Sequence, residues 1–89
     1  MNNIHNEDYI EIITRLRLAR ISAGITQKEL SEKLNINQSI ISKVENCERK
    51  IDVLEFFIWT NQLNISWKSI IPNKYLKLGD DNCESGINE

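Results

Sequence analysis

Gln38, Ser39, Ser42 and Lys43 fall within six residues of the stretch Gln27 to Glu45, QKELSEKLNINQSIISKVE. They offer an amide, two hydroxyls and an ammonium, which are groups for hydrogen bonding rather than for covalent chemistry. On a helix, the period of about 3.6 residues sets these four on one side and Ile41 and Val44 on the other. A polar face of this kind recognises a ligand and does not transform it. Placed on the first turns of a helix, it suits the base edges of a DNA major groove about 12 Å wide.

Two short helices joined by a tight turn would position that face. Thr26 is a cap for the first, and Glu29, three residues on, completes a capping box. Leu30 and Leu34 share a face at i, i+4, with Lys28, Glu29, Glu32 and Lys33 on the wet side. Asn35 tolerates the left-handed conformation that ends a helix. Asn37, after a turn of about three residues, is a cap for the second helix. The geometry is that of a helix-turn-helix, whose first helix lies across the nucleic-acid backbone while the second enters the groove.

Other helices flank this unit. From a cap at Asp8, the apolar positions Tyr9, Ile12, Ile13, Leu16, Ala19 and Ala23 keep a helical period up to Gly24, where a positive φ is expected. Arg15, Arg17 and Arg20 gather in the half of that helix where the dipole favours cations. Asn46, Cys47, Glu48, Arg49 and Lys50 read as a polar loop. Asp52 and Glu55 repeat the capping-box spacing ahead of Val53, Phe56, Phe57, Trp59 and Leu63, the most apolar helix, which Asn64 ends. Ser66 caps a last short helix with Trp67, Ile70 and Ile71, stopped by Pro72. The expectation is an all-α, compact five-helix domain over residues 8–78, a flexible N-terminus over 1–7, and a disordered acidic tail over 79–89.

With 89 residues, 40% hydrophobic and 27% charged, the chain has the size and composition of one soluble domain. The longest apolar run, Phe56 to Trp59, is too short to span a bilayer, and no leader pattern opens the chain, so a cytoplasmic protein with no membrane partner is expected. Cys47 and Cys83 fit no metal or redox spacing and read as reduced, non-catalytic thiols, and His5 sits near the terminus. No nucleophile stands with a base, and there are no paired carboxylates, phosphate loop or metal spacing. An enzyme is therefore not expected, nor a metal, a cofactor or a small-molecule ligand. The net charge of −2 conceals an asymmetry. Residues 1–78 hold all 11 Lys and Arg against 9 of the 13 acids, while Asp80, Asp81, Glu84 and Glu89 lie beyond. Non-specific attraction of such a weakly basic body for DNA is modest, so affinity must come from specific contacts and dimerisation.

The segment LRLARISAGITQKELSEKLNINQSIISKVENCER resembles the phage-repressor family of helix-turn-helix proteins, the Cro/repressor or xenobiotic-response-element (XRE) type, in the pattern L-R-x-x-R-x-x-x-G-x-T-Q-x-E-L followed by I-S-x-x-E-x-x-x-R. The likeness spans about residues 12–71 and implies a lambda-repressor-like fold of five helices, the second and third reading double-stranded DNA. It implies base reading by Gln38, Ser39 and Lys43, with Ser42 beside them. An amide can pair with adenine N6 and N7, and an ammonium with guanine O6 and N7. It implies phosphate contacts by Gln27, at a helix N-terminus that favours anions, and by Asn46, Arg49 and Lys50 in the loop. Arg20 and Glu45 match a structural ion pair between the first and third helices. Three positions depart from the pattern: Ser31 for alanine, Cys47 for a glycine after the third helix, and Ile51 for proline.

The expected function is a sequence-specific transcriptional regulator, a repressor acting as a homodimer on a palindromic operator, because one domain of this size reads only a half-site. Trp67, Ile70 and Ile71 either seal the core or form the dimer patch. An antitoxin-like or accessory protein-binding module on the same fold is the alternative. For the polar face of the third helix the plainer alternative is solvation; the tail reads as solubilising disorder, with competition against DNA for the basic face as the sharper alternative.

Overall fold

The computed structural model describes residues 6–82, and side chains through Lys77. Five α-helices and one 3-10 turn make up the described residues: α1 (Glu7–Ser22), α2 (Gln27–Leu34), α3 (Gln38–Glu45), α4 (Val53–Gln62), a 3-10 turn (Trp67–Ser69) and α5 (Asn73–Asn82). The core is Ile13 and Leu16 of α1, Leu30 of α2, Ile41 and Val44 of α3, Phe56, Trp59 and Leu63 from α4 and its end, and Ile70. These are the periodic apolar positions of each segment, and they bury one stripe per helix against a shared centre. α2 packs on both α3 and α4, α1 on α3, and α4 on the 3-10 turn.

The local signals explain the helix boundaries. Both expected capping boxes form, Thr26 with Glu29 and Asp52 with Glu55. Four helix ends share one device. Gly24, Asn35, Cys47 and Asn64 have φ of 72°, 58°, 59° and 61°. The next N–H donates five residues back in each case: Ile25 to Arg20, Ile36 to Ser31, Glu48 to Lys43 and Ile65 to Thr60. These are Schellman closures, which satisfy carbonyls that a helix end leaves free. Cys47 thus adopts the left-handed turn despite its Cβ, which disfavours it.

The other two departures also have a structural counterpart. The buried Ser31 hydroxyl donates to the Lys28 carbonyl at 2.7 Å. Ile51, where the family resemblance led to an expectation of proline, uses the N–H that proline lacks, donating to the Tyr9 hydroxyl at 3.0 Å.

Several boundaries differ from the sequence expectation. Asn6, not Asp8, caps α1, accepting from the Tyr9 N–H at 2.9 Å. Asp8 instead pairs with Lys74 at 3.1 Å and accepts the Tyr75 hydroxyl, tying the start of α5 to that of α1. Asn37 stands at the N-cap of α3 without a side-chain cap bond. The expected last helix is a single 3-10 turn, and a further helix, α5, follows it. Pro72 is not only a stop: its fixed φ suits the entry to a helix, so it can precede one as readily as end one. Residues 79–82, assigned to the tail, belong to α5. The rest of the expected tail, with Cys83, and residues 1–5, with His5, lie outside the described residues.

Candidate nucleic-acid interface

α3 is anchored by Ile41 and Val44, 0% and 1% exposed, so its opposite side faces outward. Gln38, Ser39 and Lys43 are exposed and Ser42 half-buried. At about 100° per residue the four occupy an arc of roughly 140°. Among the described residues none of their side chains is engaged in a hydrogen bond or ion pair. An amide, two hydroxyls and an ammonium are thereby held by a rigid helix and left free for an external partner.

The frame holding α3 centres on the Glu45 carboxylate, 3% exposed. Its Oε2 accepts from Arg20 Nε at 2.7 Å, and its Oε1 from Arg20 Nη2 at 3.0 Å and Gln27 Nε2 at 2.9 Å. Arg20 Nη1 also donates to the Ile25 carbonyl at 2.8 Å. The end of α1, the start of α2 and the end of α3 therefore meet at one buried, charge-assisted junction. Such bonds are short and directional, and they fix the angle between helices more than they add stability.

The expected phosphate contacts divide. Gln27 is half-buried and commits one amide N–H to Glu45, leaving its other N–H and its carbonyl for any outside contact. Arg49 is engaged by Glu55, Nη2 to Oε2 at 3.2 Å. The Asp52 backbone N–H and then Arg49 hold the Glu55 carboxyl below its ordinary range. Asn46, the residue closing α3, and Lys50 are exposed. The Cys47 thiol is half-buried and burial pushes its pKa up, away from the thiolate that a reactive cysteine needs.

The two alternatives for Trp67, Ile70 and Ile71, core or dimer patch, divide among the three residues. Ile70 is 2% exposed and belongs to the core, and Ile71 is half-buried against it. Only Trp67 of the three is exposed. It meets Phe57 edge to face, with ring centroids 5.9 Å apart. The apolar surface continues along α4 through Leu54, Phe57 and Ile58, 69%, 43% and 53% exposed. The sequence signal for it was present: α4 carries apolar residues on more than the one face its core needs.

A family model for the helix-turn-helix (HTH_3) matches residues 16–70. A solved XRE-family-like protein from Pseudomonas syringae pv. tomato is 41% identical, with a TM-score of 0.70 over 74% of this chain and 80% of that one. The chain belongs to the XRE family of helix-turn-helix proteins. Two further structures share the fold at 21% identity. The restriction-modification controller protein C.AhdI from Aeromonas hydrophila has a TM-score of 0.67 over 74% of this chain and all of that one. The hypothetical transcription factor NHTF from Neisseria has a TM-score of 0.66 over 88% and 93%. No curated protein matches. Membership of this family supports a DNA-binding regulator over an enzyme. No helix among the described residues is long and apolar enough to cross a membrane.

Proposed function

We propose that this XRE-family chain is a sequence-specific transcriptional regulator that reads a DNA half-site with Gln38, Ser39, Ser42 and Lys43 and represses by occupying that site. The observation that carries this is the polar face of α3, free of intramolecular partners among the described residues, while the helix beneath it is locked by Arg20, Glu45 and Gln27. Gln38 is the principal base reader, and Ser39, Ser42 and Lys43 complete the surface. Asn46 and Lys50 grip the backbone, joined by the free half of the Gln27 amide. Arg49, held by Glu55, has a smaller share.

The regulator acts as a homodimer on a palindrome, because four side chains on one short helix read too few base pairs to single out a site alone. Trp67 with Leu54, Phe57 and Ile58 is the surface that supports self-association. That same surface favours the alternative, a module whose main partner is another protein, if it binds a different chain. Selection of bound sequences from random duplex DNA is the test. A recovered site with two-fold symmetry is the expected result; no enrichment over the starting pool refutes DNA reading.

A further inference from the structure

The loop from Asn46 to Asp52 leaves α3 carrying the exposed Asn46 and Lys50, and it is pinned along its length. At its start the left-handed Cys47 is closed by the Glu48 N–H donating to the Lys43 carbonyl at 2.8 Å. In its middle Arg49 is held by Glu55 at 3.2 Å. At its far end the Ile51 N–H donates to the Tyr9 hydroxyl, 3.0 Å away and 42 residues distant in sequence. Tyr9 is itself fixed. Its backbone N–H is bonded to Asn6 at 2.9 Å, and its ring packs half-buried against the core. Lys50 is the residue immediately before this anchored N–H, so the place of its ammonium depends on the anchor.

We infer that Tyr9, far from the reading helix in sequence, is a positioning residue for DNA binding: its hydroxyl holds the loop so that Asn46 and Lys50 are ready for the phosphates before DNA arrives. A loop already ordered in the free protein loses little conformational entropy on binding, whereas a released one must be ordered again at each encounter. Phosphate contacts carry no sequence information. Loss of the hydroxyl therefore weakens binding to every duplex by the same factor. This rests on the DNA-binding reading above and adds to it a residue outside the helix-turn-helix unit.

The test is Tyr9→Phe, which removes the acceptor and keeps the ring in the core. Its affinity is measured on the selected duplex and on a scrambled one, alongside amide hydrogen exchange and urea unfolding of the free protein. The expected result is a loss of about 2- to 10-fold on both duplexes, the size of one hydrogen bond's net contribution, with faster exchange at the Ile51 amide and unchanged exchange at Leu30 and Ile41. Tyr75→Phe, which removes a hydroxyl bonded to Asp8 instead, should leave affinity unchanged. In an Ile51→Pro background, where the donor is gone, Tyr9→Phe should have no further effect. Unchanged affinity in Tyr9→Phe beside a lowered stability, or an undiminished effect in the Ile51→Pro background, overturns the positioning role and leaves the DNA-binding reading intact. Failure of the unaltered protein to bind any duplex overturns both.

Discussion

Replacing Arg20 by Met while keeping Glu45 leaves a carboxylate, 3% exposed, with one remaining donor from Gln27 in place of three bonds. Breaking a buried pair in this way costs about 3–5 kcal/mol, because the survivor can neither reach water nor find a new counter-ion. A domain of this length has about 4–13 kcal/mol of stability in total, at roughly 0.05–0.15 kcal/mol per residue, so a single replacement can consume most of it. Glu45→Met strands the Arg20 guanidinium, whose side chain is 10% exposed, with only the Ile25 carbonyl. The double replacement removes both charges. It gives up the Ile25 and Gln27 contacts, one of them half-open to water, for a net loss of about 1–2 kcal/mol. Urea unfolding followed by circular dichroism, with the double-mutant cycle completed, should therefore give a coupling of at least about 3 kcal/mol. Unfolded single variants beside a folded double variant would be the same result in a stronger form. Additive losses would refute the view that Glu45 is a buried junction. The folded double variant should also bind DNA less well than the unaltered protein, since the Gln27 amide and the tilt of α3 are released together.

Gln38→Ala should cost about 1–3 kcal/mol on the selected site and little on non-specific DNA, and equal loss on both would contradict base reading. Gln27→Ala should weaken binding to all sequences alike and also lower stability by about 1 kcal/mol through the lost donor to Glu45; a changed base preference in competition assays would contradict the phosphate role. Ile58→Glu on the exposed face of α4 should leave the fold intact and shift sedimentation towards a monomer, and an unchanged dimer would move the interface elsewhere. Glu55, held below its ordinary range, contributes stability above the unfolded-state value of about 4.3 and loses it as pH falls through the lower folded value. Replacing the titrating carboxyl with Glu55→Gln should therefore flatten the acid limb of the pH–stability curve, and an unaltered limb would show that neither the Asp52 N–H nor Arg49 holds the Glu55 carboxyl down.

The sequence by itself determined the elements whose causes are local. Capping boxes need residues three apart, Schellman ends need one residue tolerant of positive φ, and a core stripe needs only a period. Thr26 with Glu29, Asp52 with Glu55, Gly24, Asn35, Asn64 and the apolar positions of α1 to α4 were legible for that reason. The polar face of α3 was legible too, because Ile41 and Val44 fix which side is inward. Tertiary structure decided whatever depends on residues distant in the chain. It took Arg49 into a pair with Glu55, spent half of the Gln27 amide on Glu45, withdrew Ile70 into the core and gave the Ile51 N–H to Tyr9. It also turned Pro72 from a stop into the entrance of α5, whose start is fastened by Asp8. A hydrogen-bonding or charged side chain has several permissible partners, and which one it takes is settled only when packing brings two segments within about 3 Å.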